Sequence, residues 1–140
     1  MLTRAQLIQV EVQAKLFEDA GKLGYDGKAF ANGFMQSKAA DDFYSDYDRL
    51  QWLGGKYLLA EFLDESGLKP SHAPGDDNLE ALFWAGYVYR YWNFLTGESP
   101  REINRQADAT AMYETWLGYH TLSVEEAVLR LKDDAKVGQR

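Results

Sequence analysis

The residues with the clearest chemical potential are four aspartates in the segment 41–48, DDFYSDYD. They are Asp41, Asp42, Asp46 and Asp48. On a helix, Asp42 and Asp46 share one face, and the other two lie on the adjoining face. Such a patch could bind a basic partner, imitate the phosphates of a nucleic acid, or hold a divalent cation weakly, although the spacing differs from an EF-hand loop. It could also be a solvated outer face. We take the four aspartates as predicted partner-binding residues.

A second set comprises Glu80, Arg90 and His120. Arg90 interrupts an apolar stretch, so it either reaches out to solvent or is buried against Glu80 or another acid. His120 follows a predicted helix, where its ring can bond the last carbonyl groups. If the three converge on a cleft of roughly 300 Å³ or more, they would form a pocket for a small ligand or for catalysis.

Other chemistry has no signature in the chain. There is no cysteine, the two histidines lack metal-ligand spacing, and neither a Gly-x-Ser-x-Gly elbow nor a glycine-rich phosphate loop is present. We therefore predict no catalytic residue, no metal and no cofactor, and we expect that the protein is not an enzyme.

Charge and composition narrow the partners. The 140 residues include 22 acidic and 15 basic side chains, which gives a net charge of -7. An acidic surface repels nucleic acid and anionic membranes and suits either a basic protein partner or solubility alone. The absence of cysteine fits a reducing compartment, and the first residues have no apolar signal region, so a cytoplasmic location is expected. The oligomeric state stays open.

Capping signals in the sequence show where helices begin and so which predicted helix carries each of these candidate residues. Four capping boxes are predicted, and they pair Thr3 with Gln6, Asp77 with Glu80, Ser99 with Glu102, and Ser123 with Glu126. Asp26, Ser37 and Asp108 are predicted as simple N-caps. The sequence is rich in aromatic residues, which favours helices with aromatic cores. We predict helices over 4–22, 27–36, 38–50, 55–65, 78–96, 100–106, 109–119 and 124–137.

The fifth predicted helix is apolar on nearly all sides. Glu80, Arg90 and Asn93 interrupt it, so it does not qualify as a membrane span. A helix of this kind lies at the centre of a fold. Gly86 within it predicts a point where another helix crosses closely.

The chain also repeats an apolar pattern. Residues 34–65 and 103–134 carry apolar side chains in the same register without a gap. We therefore predict an all-α, compact helical bundle of about eight helices, built as two pseudo-symmetric four-helix units around the aromatic helix. The units cover 1–66 and 78–140, joined by a linker at 67–77, and they share one core.

The second half resembles a known family. The segments TGESPREI (96–103), YHT (119–121) and EEAV (125–128) are similar to those of a small all-helical bacterial domain of unknown function, in which a His-Thr pair precedes the last helix. The first half has Gln51 and Trp52 at that place. Members often lie beside genes for toxins with an ADP-ribosyltransferase-like fold, so the resemblance implies an accessory or antitoxin-like protein. No catalytic residue is established in that family.

Three functions therefore remain under consideration. The first is a protein-interaction module that binds and neutralises a bacterial toxin. The second is an acidic inhibitor, of a phage or mobile-element type, that mimics nucleic acid through the aspartates of segment 41–48. The third is a small-ligand-binding or enzymatic helical domain. Partner contacts are expected first at segment 41–48 and in a groove between the two halves.

Overall fold

The computed structural model describes residues 2–41 and 55–138. Within these residues the chain forms eight α-helices and no strand. In chain order they are α1 (Arg4–Lys22), α2 (Gly27–Met35), α3 (Lys38–Asp41), α4 (Gly55–Ser66), α5 (Leu79–Thr96), α6 (Pro100–Gln106), α7 (Ala109–Tyr119) and α8 (Val124–Gly138). The prediction of an all-α bundle is confirmed. The helix predicted over 38–50 lies mostly outside the described residues.

Side-chain caps define several helix starts. At α1, Thr3 Oγ1 accepts from the Gln6 amide at 3.1 Å, and Gln6 Oε1 accepts from the Thr3 amide at 2.9 Å. Ser99 and Glu102 form the same reciprocal box at α6. These two predicted capping boxes are confirmed. Each satisfies two backbone amides that have no partner inside the helix.

The capping box predicted at Asp77 is wrong by one residue. Asn78 is the N-cap of α5, and its side chain accepts from the Ala81 amide at 3.2 Å. Asp77 turns instead toward α2 and accepts a 2.7 Å hydrogen bond from the Gly27 amide. Its carboxylate therefore caps a different helix from the one that follows it.

Helix α5 lies at the centre of the fold and packs most extensively against α1. Gly86 is the crossing point: a Cβ atom there would lie 2.8 Å from Phe17 Cγ and 3.0 Å from Ala14 Cα. Nε2 of Gln13 also donates to the Gly86 carbonyl at 2.9 Å. The predicted central helix and its close contact at Gly86 are both confirmed.

Aromatic rings fill the space next to this crossing. Phe17 of α1 meets Phe30 and Phe34 of α2 edge-on, with ring centroids 5.4 and 5.5 Å apart, and Phe62 of α4 contacts the same pair. The cluster continues through Tyr89 and other buried residues of the second half. One core therefore draws on both predicted units.

Paired positions of the repeated apolar pattern have the same burial wherever the structure describes both residues. Phe34 and Ile103 are buried, as are Leu59 with Val128 and Phe62 with Leu131. The two stretches thus place their apolar side chains in the same core, while a true duplication stays a prediction.

The connection between α4 and α5, residues 67–78, is tied to the end of α1. The amides of Ser71 and His72 donate to the Gly24 carbonyl at 3.0 and 2.9 Å, and the Gly75 amide donates to the Gly21 carbonyl at 3.2 Å. Gly24 has a φ of +93°, and a Cβ atom there would lie 2.5 Å from the His72 oxygen. The middle of the predicted linker is therefore hydrogen-bonded to the last turn of α1 and to the turn that follows it.

Candidate functional site

An open apolar groove runs between the end of α1 and the middle of α4. Its volume is about 480 Å³. It is lined by Asp19, Lys22, Leu23, Leu59, Ala60 and Leu63. Leu59 is buried at its base, whereas Leu23 remains 54% exposed at its edge. We call this feature the α1–α4 groove, and its volume falls within the range of roughly 300–1,000 Å³ that is typical of binding pockets.

Local sequence explains why the groove is open. On α4, Leu58, Leu59 and Phe62 face the core. Ala60, on the neighbouring face, has a side chain too small to fill the space toward α1. Leu23 is the C-cap of α1, where the chain turns away at Gly24, so its side chain has no following turn to pack against. Three leucines therefore surround a gap that the described residues leave unfilled.

The two edges of the groove differ in charge. On α1, Lys15 pairs with Glu18 at 2.9 Å and with Asp19 at 3.6 Å, and Lys22 pairs with Glu18 at 3.2 Å. The hydrogen bond from Lys15 holds the pKa of Glu18 below its usual value. This edge is close to neutral because its charges are matched by one another.

The α4 edge is acidic. Glu61, Asp64 and Glu65 are exposed. Among the residues that the structure describes, none of these three carboxylates has a basic partner. Asp64 follows Ala60 by one helical turn and so lies on the same side of α4 as the groove, while Glu61 and Glu65 lie farther out. The groove therefore combines an apolar floor with one negatively charged edge.

A polar pocket of about 330 Å³ lies at the other side of the α1 terminus. At its centre Asp77 accepts from the Tyr113 hydroxyl at 2.6 Å and from the Gly27 amide at 2.7 Å. Burial and the neighbouring Asp77 carboxylate both raise the pKa of Tyr113. Lys28 places its ammonium 5.4 Å from the centre of the Tyr113 ring.

Two further polar groups of this pocket, His72 and Asp26, bond to each other. Nε2 of His72 lies 3.1 Å from Oδ1 of Asp26, whose other oxygen accepts from the Ala29 amide at 2.9 Å. The bond from Ala29 is the main reason why the pKa of Asp26 lies below its usual value. The pocket thus joins the connection 67–78, α2 and α7, and two of its acids, Asp26 and Asp77, are engaged in holding that junction.

The predicted acidic patch is described only at Asp41. There Oδ2 of Asp41 accepts a 2.9 Å ion-paired hydrogen bond from Nη1 of Arg101 on α6. Arg101 also donates twice to the Gln36 carbonyl, at 3.1 and 2.8 Å. Asp41 is therefore part of an internal link between α3 and α6. Asp42, Asp46 and Asp48 lie outside the described residues.

The three predicted pocket residues do not come together. Glu80 is exposed in the first turn of α5, and Arg90 is buried ten residues later, about 15 Å along the same helix. Arg90 donates to Gln13 Oε1 at 2.7 Å, Asn93 Oδ1 at 3.0 Å and the Ala40 carbonyl at 3.0 Å. Neither the groove nor the polar pocket includes Glu80, Arg90 or His120. Among the described residues, Glu80, Arg90 and His120 therefore do not line the common cleft that a small-ligand or catalytic site built on them would need.

His120 caps the end of α7. Its Nδ1 lies 2.8 Å from the Trp116 carbonyl and 3.0 Å from the Leu117 carbonyl, and its ring stacks on Trp116 at 5.0 Å. It is exposed at this position. The structure thus places it at the last carbonyl groups of a helix, which is the role that the sequence predicted for its ring.

Sequence reasoning missed the α1–α4 groove. It expected a groove between the two halves, whereas α1 and α4 both belong to the first predicted unit. The available signal was Leu23 directly before Gly24, together with Ala60 between the apolar positions of α4. Leu23 and Gly24 indicate the end of a helix, and Ala60 indicates a helix face with a small side chain. Neither signal shows that these two places lie next to each other in the fold.

Comparison with protein-family models, with curated proteins and with solved structures found no match to this chain. Across residues 2–41 and 55–138, no helix combines the length and the apolar character needed to cross a membrane. Within the same residues, no three histidine or acidic side chains are arranged so that they could hold a metal ion.

Proposed function

We propose that this protein is an interaction module that binds a basic protein partner and acts as the neutralising partner of a bacterial toxin. The observation that carries the proposal is the α1–α4 groove, an open apolar surface with an acidic edge. Solvent-exposed apolar grooves with charged rims are typical of sites that bind another protein. The net charge of -7 favours a partner of the opposite sign.

The resemblance of the second half to a domain encoded beside toxin genes supports the choice of partner. Neutralisation by such a domain would require it to cover the toxin's active surface. An acidic module suits this role when the covered surface is basic, because complementary charge raises the rate of encounter.

Mimicry of nucleic acid is a weaker proposal for the described residues. It needs Asp41, Asp42, Asp46 and Asp48 on one exposed face. Asp41 already pairs with Arg101, so the patch has at most three aspartates to offer a partner. Changing Asp42, Asp46 and Asp48 to Asn tests this function directly, since a partner that reads them as phosphates would be lost.

The main test is co-expression with the product of the gene adjacent to this protein's own, followed by size-exclusion chromatography. We expect one peak that contains both chains and relief of any growth arrest that the neighbouring product causes alone. The matched control is the same neighbouring product expressed with an unrelated acidic helical protein of similar size. Separate elution at micromolar concentration, together with unrelieved growth arrest, would contradict the proposal.

A further inference from the structure

The geometry points to a specific occupant of the α1–α4 groove: an amphipathic helix of the partner, apolar toward the groove and basic along one side. This inference rests on the proposed function and deepens it. The apolar face packs against Leu23, Leu59 and Leu63, and the basic side lies along the acidic edge of α4. The mode is that of a helix bound in a groove formed by two other helices.

The size of the groove sets the spacing of the anchors. It runs from Asp19 to Leu23 on α1 and from Leu59 to Leu63 on α4. Four residue steps correspond to about 6 Å along a helix, or just over one turn. Such a length fits two large apolar side chains spaced three or four residues apart on the incoming helix. The inference therefore specifies a short apolar motif and does not require a long coiled coil.

The charges set the orientation of the incoming helix about its axis. The α1 edge is balanced by the pairs that Lys15 and Lys22 make with Glu18 and Asp19. The α4 edge offers Asp64, with Glu61 and Glu65 farther out. Lysine or arginine residues of the bound helix should therefore lie on the α4 side, and their contribution should weaken with added salt.

A second copy of this chain fits the groove less well. A two-fold dimer formed through the groove would use the same surface on both subunits. With the two-fold axis across the groove, the acidic edges of the two α4 helices approach each other, and like charges at close range disfavour association. With the axis along the groove, each acidic edge lies against the balanced α1 edge of the other copy and gains no opposite charge. A basic helix meets no such repulsion.

The test uses the full chain and three designed peptides of about 16 residues, helical and fluorescently labelled. One carries two leucines a turn apart with lysines on one side, one carries glutamates in place of those lysines, and one is a scrambled version of the first. We expect the first to bind saturably, with a Kd on the order of 10 µM. We expect the other two to bind at least about tenfold more weakly.

Variants locate the binding. Ala60→Trp fills the exposed floor of the groove and should weaken binding at least about tenfold, whereas Asp64→Lys should weaken it about fivefold. Asp133→Lys on α8 is the matched control for the charge change. Leu23→Ser, with Leu117→Ser on α7 as its control, is a second pair at exposed positions. Thermal unfolding of each variant checks that it is folded.

Each outcome has a distinct meaning. Loss of binding in Ala60→Trp and Asp64→Lys, with both control variants unaffected, supports the inference. Equal binding of the lysine and glutamate peptides, binding unaffected by the groove variants, or no binding at all overturns it. Self-association in sedimentation that Ala60→Trp abolishes also overturns it, because the occupant is then a second copy. If the groove variants still form the complex with the co-expressed neighbouring product, the groove is excluded as the binding site but the proposed function stands. If the wild-type chain forms no such complex, the proposed function fails.

Discussion

Gln13 and Arg90 meet inside the protein, where Oε1 of Gln13 accepts a 2.7 Å hydrogen bond from Nε of Arg90. The same amide donates through Nε2 to the Gly86 carbonyl at 2.9 Å. One side chain of α1 thus serves two groups of α5, and both Gln13 and Arg90 are buried. Because both bonds depend on the alignment of the two helices, this contact selects one register for the longest helix pair.

Replacing Gln13 with Leu should therefore destabilise the protein by about 2–4 kcal/mol. The change removes an acceptor from Arg90 and a donor from the Gly86 carbonyl inside the core. Denaturant unfolding measures the loss. The control is Gln9→Leu on the same helix, a buried side chain with no hydrogen bond to α5 among the described residues. A similar loss in both variants would show that the Gln13 contacts carry no special weight.

Gly86→Ala should cost about 1–3 kcal/mol, although alanine favours helix formation. The added Cβ would meet Phe17 Cγ at 2.8 Å and the backbone of Ala14 at 3.0 Å, so α1 would have to move. Gly118→Ala on α7 is the matched control because nothing lies within 4 Å of its Cβ position. That variant should be neutral or stabilised by up to about 1 kcal/mol. If both variants gained stability, the crossing at Gly86 would be looser than described.

Glu98 should make stability depend on pH. Burial raises its pKa, but hydrogen bonds from Lys132, Gln106, Trp92 and Thr96 outweigh burial and lower the pKa of Glu98 to about 2. The folded protein thus holds this group ionised below its ordinary pKa of 4.5. Its stabilising contribution is complete above pH 4.5 and disappears as the pH falls toward about 2.

Unfolding of the wild type and of Glu98→Gln across this pH range tests the prediction. The wild type should be more stable by on the order of 1–2 kcal/mol at pH 7, with the difference vanishing in acid. Glu114→Gln, at an exposed position of α7, is the control for the change of residue type. A difference that stays constant down to pH 2 would mean that the charge of Glu98 is not what stabilises the fold.

Tyr113→Phe should destabilise the junction between α2, α7 and the connection 67–78 by about 1–2 kcal/mol. It removes the 2.6 Å hydrogen bond to Asp77, which is partly buried. Tyr119→Phe is the matched control, since it loses a bond of similar length to Asp134 in an exposed setting and should cost under about 0.5 kcal/mol. Chemical denaturation followed by circular dichroism compares the two. Equal losses would argue against a special role for the junction.

Much of the fold could be predicted because its signals are local. Two helix starts are marked by side chains that bond to neighbouring amides, those of Thr3 with Gln6 and of Ser99 with Glu102. Gly97, in the left-handed conformation, ends α5. Such features depend on a few adjacent residues. Asp77 shows the limit: its residue type fits a cap for α5, but Gly27, fifty residues away, binds its carboxylate.

The candidate site could not be predicted for the same reason. The α1–α4 groove exists because Leu23 and Ala60 lie opposite each other, and that relation comes from tertiary packing. Arg90 illustrates the converse error. Its place in an apolar stretch correctly indicated burial as one alternative. The sequence suggested Glu80 or another acid as its partner, whereas the amide of Gln13 on another helix is one of its acceptors.

The pairing of α1 with α5 also has a consequence for synthesis of the chain. Translation at about 5–20 residues per second completes α5 roughly 4–15 s after α1. During that interval Val10, Leu16 and Phe17, which the finished protein buries, lack the helix that covers them most extensively. Helix α1 of the nascent chain therefore stays exposed on that face for several seconds, and the long helix pair cannot form until α5 has been synthesised.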